Sequence, residues 1–277
     1  SELLSAADID CTEINNHRDI KFGGFNPEPL DYNVPDFMKV IKEAGSAFAV
    51  GLIMDGDGDR NGACDTDGSF VNSQKVFSIL FHHFAENLNK PGKLVHAFNG
   101  TKLLDKLAEN IGREVTVTKI GFKYIAEEIL KGNVLIGGEE SGGYSASGNI
   151  PDRDGVLNSL YLLEVIAAEN KTLGQIYSDL EKRFGKHAYN RLDLKLENSK
   201  KEATIKTLTE KHPEQLAGKK VVSKEVFDGI KLHFEDTSWL LFRASGTEPL
   251  LRIYCEAEDM SEIEKMLAAG REFAEGM

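Results

Sequence analysis

A chain of 277 residues, 41% hydrophobic and 28% charged, has room for two domains and an ordinary core, which excludes an intrinsically disordered protein. Its formal charge of −12 excludes a broad electrostatic footprint for nucleic acid or an acidic membrane, so an anionic ligand would need cations placed locally. No apolar run approaches the ~20 residues of a membrane span, Ser1-Glu2-Leu3-Leu4 lacks a basic signal-peptide start, and Cys11, Cys64 and Cys255 are too few and scattered for a disulfide framework, so a reduced, cytoplasmic protein is expected.

The elements follow in chain order. A strand is expected near Cys11 to Ile14, then a helix through Phe37, Val40, Ile41 and Ala44 that stops at Gly45. The apolar run Phe48 to Met54 reads as a buried strand. Next come a helix from Ser73 to Asn87, a strand from Leu94 to Phe98, a helix carrying Leu103, Leu104, Leu107 and Ile111, a strand from Val115 to Thr118, a helix from Tyr124 to Leu130, and a strand from Val134 to Ile136. Phe77, Phe81 and Phe84 keep helical spacing and read as core, and the adjacent His82 and His83 read as packing or solvated residues. Helices over 155–170 and 173–184 complete a β/α alternation typical of a layered sheet. Leu192, Leu194 and Leu196 then alternate with polar residues as in a half-solvated strand. A helix over 200–212, strands near 221–226, 230–234, 239–242 and 251–256, and a helix from Ser261 follow. The fold class is therefore α/β followed by a smaller α+β unit, with expected domains at 1–70, 71–186 and 187–277.

Three segments carry chemistry. Asp55-Gly56-Asp57-Gly58-Asp59-Arg60 follows the strand ending at Met54, and three carboxylates on alternate positions repel one another unless a cation, most naturally Mg²⁺, lies between them. An EF-hand would need Gly at its sixth position and Glu at its twelfth, where Arg60 and Thr66 stand. An aspartyl-nucleophile phosphatase would carry Thr or Val two residues after its Asp-x-Asp, where Asp59 stands, and an ordinary Asp/Gly turn would not need three acids in register. In Gly137-Gly138-Glu139-Glu140-Ser141-Gly142-Gly143, glycines allow close approach while Glu139 and Ser141 offer an acceptor and a hydroxyl to neighbouring sugar hydroxyls. Arg153 adds a cation in the same long connection. In Arg243-Ala244-Ser245-Gly246-Thr247, with Arg252 beyond it, a guanidinium fork, two hydroxyls and exposed N–H groups suit a phosphate, without the spacing of a nucleotide P-loop.

In this order the three segments resemble the metal-binding, sugar-binding and phosphate-binding loops of the α-D-phosphohexomutase family, the phosphoglucomutases and phosphomannomutases. Phe22-Gly23-Gly24-Phe25-Asn26-Pro27-Glu28-Pro29 and Gly121-Phe122-Lys123-Tyr124-Ile125 match the family as well. The resemblance implies reversible phosphoryl transfer between C1 and C6 of a hexose phosphate through a phosphoserine and a hexose 1,6-bisphosphate. Carried over, Asp55, Asp57 and Asp59 would hold Mg²⁺, and Glu139 and Ser141 would grip the sugar. Arg243, Ser245, Gly246, Thr247 and Arg252 would clamp the idle phosphate, and Arg60, Lys123 and Arg153 would surround the substrate with positive charge. The Glu-Glu-Ser form of the sugar loop is closer to phosphoglucomutases than to the Glu-Met-Ser and Glu-Gln-Ser forms of the mannose and glucosamine enzymes. Glucose is therefore favoured, with mannose or a pentose left open.

The family's nucleophilic serine lies in a Ser-His-Asn-Pro type of motif, which is absent from these 277 residues, and Ser145, Ser147 and Ser245 lie in loops with other roles. The chain therefore reads as a carboxy-terminal portion holding part of the second family domain and all of the third and fourth. It is expected to have no turnover by itself and to carry an unpaired sheet edge prone to self-association. Gly143 stands where several branches have His, which leaves the acid/base group for the sugar hydroxyl unassigned. The alternatives are a non-catalytic sugar-phosphate-binding module and, further off, a Mg²⁺-dependent phosphatase.

Overall fold

Backbone pairing builds three sheets in the computed structural model, which describes residues 2–245 and 249–277. The amino-terminal part carries α1 (Glu2–Ala6) and α2 (Pro35–Glu43), neither of which buries a residue. Pro35 starts α2, a position where its missing N–H is no loss. Strand β1 (Gly51–Met54) pairs antiparallel with β2 (Asn61–Cys64), and β2 with β3 (Phe70–Val71). The acidic segment 55–60 is thus the turn of a hairpin, whereas its apolar lead-in had suggested the carboxyl end of a strand in an open α/β sheet. Only Gly51–Met54 of the run from Phe48 forms a strand. Phe48 and Met54 are 47% and 48% exposed, because the outer edge of β1 has no neighbouring strand among the described residues. The strand expected at Cys11 to Ile14 does not form: the segment is mostly exposed and no strand of the described residues pairs with it.

The middle unit alternates as expected. Helix α3 (Ser73–His82), continued by a π-helical turn His83–Asn87, precedes β4 (Lys93–Ala97), α4 (Lys102–Asn110), β5 (Val115–Thr118), α5 (Phe122–Leu130), β6 (Val134–Gly138), β7 (Tyr144–Ala146), α6 (Gly155–Glu169) and α7 (Leu173–Phe184). The sheet order is β5-β4-β6-β7, parallel except for β7, which runs antiparallel to β6. Strands covered on both faces must be apolar throughout. Leu94, Leu135 and Ile136 meet Phe77, Leu80 and Phe81 of α3 with Leu162 of α6 on one face, and Val95 and Ala97 meet Phe122 and Ile125 of α5 on the other. Helix starts are set by side-chain caps: Asn72 accepts from Lys75 N at 3.1 Å, Thr101 from Leu103 N at 3.1 Å and Asp154 from Leu157 N at 2.9 Å, and Thr172 forms a capping box with Gln175.

The last unit comprises β8 (Ala188–Lys195), α8 (Asn198–Glu210), β9 (Gln215–Leu216), β10 (Lys219–Val226), β11 (Ile230–Phe234), β12 (Trp239–Ala244), β13 (Leu250–Ala257) and α9 (Met260–Glu275). Its antiparallel sheet, ordered β8-β13-β12-β11-β10-β9, has one face over the core that includes Leu208 of α8 and Ile263 and Met266 of α9. The other face presents Tyr189, Trp239, Leu241 and Tyr254, which enclose Phe98 at the end of β4. The architecture is the expected α/β followed by α+β. Among the described residues no helix is long and apolar enough to cross a membrane.

Candidate functional site

The acidic hairpin turn is organised by its own first residue. Asp55 N donates to Arg60 O at 3.2 Å, which closes the turn. Asp55 Oδ1 accepts from Asp59 N and Arg60 N, both at 3.0 Å, while Arg60 Nε donates to Asp55 Oδ2 at 2.5 Å. The segment 22–29 pads the outside of the turn: Gly56 N donates to Pro27 O at 3.1 Å, and Glu28 Oε1 lies 3.4 Å from Arg60 Nη1. Asp57 is exposed, yet one carboxylate oxygen from each of Asp55, Asp57 and Asp59 lies within 4.8 Å of the others.

These carboxyls are not equivalent. Burial pushes Asp55 up, but the N–H and guanidinium donors of Arg60 more than offset it and hold its carboxyl below the ordinary value. Asp59 moves the other way, because burial and repulsion from Asp55 and Asp57 outweigh the pull of Arg153. Asp59 Oδ1 is buried without a hydrogen-bond partner, 3.6 Å from Arg60 Nε. Hard oxygen donors this close, with one buried lone-pair atom unsatisfied, fit a small divalent cation.

The Gly/Ser segment is likewise the turn of a hairpin, between β6 and β7, a strand that period-two reasoning missed because it hides inside a run of small residues. Glu139 N donates to Gly143 O at 3.1 Å, and Ser141 Oγ donates to Glu139 Oε1 at 2.8 Å, so the two predicted sugar contacts are already oriented toward each other. The turn abuts the acidic hairpin: Asn61 N donates to Gly142 O at 3.0 Å and Gly155 N to Gly58 O at 3.1 Å. Arg153 joins the two, with Nη2 2.5 Å from Asp59 Oδ2, Nη1 3.9 Å from Glu139 Oε1, and its guanidinium 5.5 Å from the Phe122 ring centroid. Gly143 makes this possible, since a Cβ there would lie 2.2 Å from Arg153 Cδ. The residue type that raised a question in the sequence is thus the one that lets the arginine stem cross the turn.

Glu140 points elsewhere. Its carboxylate lies 3.3 Å from Arg191 Nη1 of β8, and Asn99 Nδ2 donates to it at 3.5 Å, while its backbone carbonyl accepts from Ser73 Oγ at 2.5 Å. Burial raises its carboxyl above the ordinary value against the pull of Arg191. Arg191 Nε is 3.3 Å and Arg252 Nε 3.8 Å from Asp193 Oδ1, so alternating charges run from the sugar turn to the strand bearing Arg252. The sequence alone does not connect Arg191 and Asp193 to these turns, because a charged pair on a half-solvated strand has no motif. In the third segment, Ser245 N donates to Leu250 O at 2.9 Å and Lys201 Nζ donates to Ser245 O at 3.3 Å, which closes the β12–β13 connection. Arg243 Nε donates to Asp228 Oδ2 at 3.1 Å. Gly246 and Thr247 lie outside the described residues. Lys123 is exposed in the first turn of α5, its ammonium 4.8 Å over the Tyr124 ring.

Known proteins resemble the chain along its whole length. Family models described as phosphoglucomutase/phosphomannomutase match it three times: alpha/beta/alpha domain II at residues 1–68, alpha/beta/alpha domain III at 72–184, and the C-terminal domain at 194–272. A phosphoglucomutase/phosphomannomutase of Thermococcus kodakarensis is 32% identical over 270 residues, covering 97% of this chain and 56% of the relative. A phosphoglucosamine mutase of Methanocaldococcus jannaschii is 30% identical over 268 residues, covering 95% and 57%. A solved Thermus thermophilus chain described as a phosphomannomutase superposes with a TM-score of 0.85 at 34% identity, covering 99% of this chain and 57% of that one. The chain therefore spans little more than half the length of the relatives it matches.

Proposed function

Because the chain belongs to the phosphoglucomutase/phosphomannomutase family, we propose that it supplies the cation, sugar and phosphate sites of a phosphohexomutase that interconverts hexose 1-phosphate and hexose 6-phosphate. The observation that supports this reading is Arg153, which ties Asp59 of the acidic turn to Glu139 of the Gly/Ser turn, so the groups proposed to hold a cation and a sugar lie side by side. Asp55, Asp57 and Asp59 would hold Mg²⁺, which when bound offsets negative charge on a phosphoryl oxygen. Glu139 and Ser141 accept from and donate to sugar hydroxyls. Arg243, Ser245, Gly246, Thr247 and Arg252 take the phosphate that is not reacting, while Arg60, Lys123 and Arg153 counter the charge of a hexose 1,6-bisphosphate. The local cations explain how a chain of net charge −12 receives an anionic substrate.

Glucose is the proposed sugar on the Glu-Glu-Ser form of the loop; its distinguishing residue, Glu140, is engaged by Arg191, so it would act on the choice of sugar through the set of the loop that presents Glu139 and Ser141. Free thiols at Cys11, Cys64 and Cys255 support a reducing, cytoplasmic setting. The test is calorimetric titration of the 277-residue chain with glucose 6-phosphate and mannose 6-phosphate, each with and without Mg²⁺, coupled to assays for isomer and for inorganic phosphate. Tighter binding with Mg²⁺, preference for glucose, and neither isomerisation nor phosphate release are expected, because no residue of the Ser-His-Asn-Pro type is present to carry the phosphoryl group. Isomerisation by this chain would overturn the assignment of the nucleophile, and release of inorganic phosphate would replace the mutase reading by a phosphatase.

A further inference from the structure

The β10–β11 hairpin turn, Phe227-Asp228-Gly229, meets the middle unit at Ile120 and Phe98. Gly229 has φ +115° and lies so near β12 that a Cβ would be 2.6 Å from Phe242 O, which brings Asp228 alongside the start of the phosphate segment. Asp228 Oδ2 accepts two hydrogen bonds: from Arg243 Nε at 3.1 Å and, across the boundary between units, from Ile120 N at 2.8 Å. Ile120 immediately precedes Gly121-Phe122-Lys123. Next to Asp228, the Phe227 ring stands edge-on to Phe98, with centroids 5.5 Å apart. Among the described residues the two terminal amino groups of Arg243 have no hydrogen-bond or ion-pair partner, so the carboxylate takes Nε and leaves the fork open.

We propose that Asp228 is a positioning residue for the phosphate site: it orients the Arg243 fork and anchors it to the Ile120 N–H. A carboxylate on Nε fixes the plane of the guanidinium, and a backbone N–H on the same oxygen fixes the carboxylate, so the two donors left for a phosphate are pre-aimed and lose less freedom on binding. The anchor also sets the distance between Arg243 and the segment that carries Lys123. This inference rests on the reading of Arg243 as a phosphate ligand.

The experiment is calorimetric titration of the 277-residue chain and its variants with inorganic phosphate and with glucose 6-phosphate. Asp228→Asn keeps an oxygen for the Ile120 N–H but loses the charge that holds Arg243, and should weaken phosphate binding about tenfold. Arg243→Met should weaken it at least as much, and the double variant should be no worse than Arg243→Met alone, since the two residues act as one unit. Phe227→Ala removes the ring contact with Phe98 and leaves the carboxylate in place, and should change affinity less than about twofold. If Asp228→Asn does not fold, Asp228→Glu serves instead, because it keeps the charge but displaces it and should also weaken binding. Unchanged affinity in Asp228→Asn or Asp228→Glu, additive losses in the double variant, or an equal loss in Phe227→Ala would overturn the positioning role. Unchanged affinity in Arg243→Met would instead overturn the phosphate-ligand reading on which it rests.

Discussion

Two sheets flank the middle one, and they are fastened to it by different chemistry. The carboxy-terminal sheet is fastened through a dry face: Trp239, Tyr254 and Tyr189 enclose Phe98. Lys231 donates to Phe98 O with its ammonium 4.3 Å and 4.4 Å over the rings of Phe98 and Trp239, and Glu256 accepts from Lys102 N at 3.0 Å while its carboxylate lies 3.0 Å from His187 Nδ1. The amino-terminal sheet buries Ala63 and Val71 in the central core, but around the site it is joined by the partly exposed pair Asp59–Arg153 and by backbone bonds between turns. Charges left at a wet boundary can be exchanged for those of a ligand, whereas charges sealed at a dry one are structural. The residues proposed for the cation and the sugar thus lie at the wet boundary, and those proposed for the phosphate lie on the unit joined through the dry face.

The contrast breaks first under deletion of its dry anchor. Trp239 is fully buried, so Trp239→Ala should cost about 3–5 kcal/mol, seen as a large fall in the urea midpoint. Arg153→Met, which removes the partly exposed bridge on the other side, should cost about 1 kcal/mol or less. Comparable losses from the two variants would show that the two boundaries do not differ as described.

Lys231 sharpens the same point by its pH dependence. Burial lowers its ammonium from the ordinary 10.5 to about 8. Lys102 pushes the same way, and Glu225, Glu256 and Asp105 oppose it, as do the two ring faces. Because the folded value lies below the unfolded one, the folded chain bears the full cost of the buried charge below about pH 8. Between about 8 and 10.5 the unfolded state binds more protons, so stability rises with pH there, by at most about 3 kcal/mol. Lys231→Met should flatten that rise, read as the difference in urea midpoint between the two proteins at pH 7.5 and pH 9.5. An unchanged slope in the variant would assign the titration to another group.

Much of this organisation is legible in the residues. The central strands β4 and β6 are covered on both faces and are mostly apolar, and the helices carry stripes such as Leu103, Leu104 and Leu107, so periodicity locates them. The three chemical segments declare themselves because acids, glycines and Ser/Thr hydroxyls cluster in turns. What stays hidden depends on partners far along the chain. β2, Asn61-Gly62-Ala63-Cys64, has no strand pattern of its own and exists because it pairs with β1, with Gly51 opposite Cys64. β7 lies inside a Gly/Ser run and forms because Gly138 faces Tyr144. Cys11 to Ile14 failed as a strand for the converse reason, a lack of any pairing strand among the described residues. Asp228 carries only the weak Asp-Gly signature of a turn, and the turning of Glu140 toward Arg191 requires knowing which face of β8 meets the sugar loop.

The smallest expected effect concerns the outer edge of the amino-terminal sheet. Among the described residues β1 pairs with β2 alone, and Met54 and Phe48 beside it are about half exposed, so the edge offers both free backbone groups and apolar surface to another β1. Edges of this kind are ordinarily blunted by a lysine, whose charge and desolvation oppose edge-to-edge pairing. Met54→Lys places one at the last position of β1, next to Asp55, where it also meets a favourable charge. The variant should keep its urea midpoint within about 0.5 kcal/mol of the parent while sedimenting as a smaller species at concentrations where the parent self-associates. Identical concentration dependence in the two proteins would mean that the edge is not the surface through which copies meet. The exposed side chains of Phe22, Phe25 and Tyr32 in the preceding segment would then be the next surface to alter.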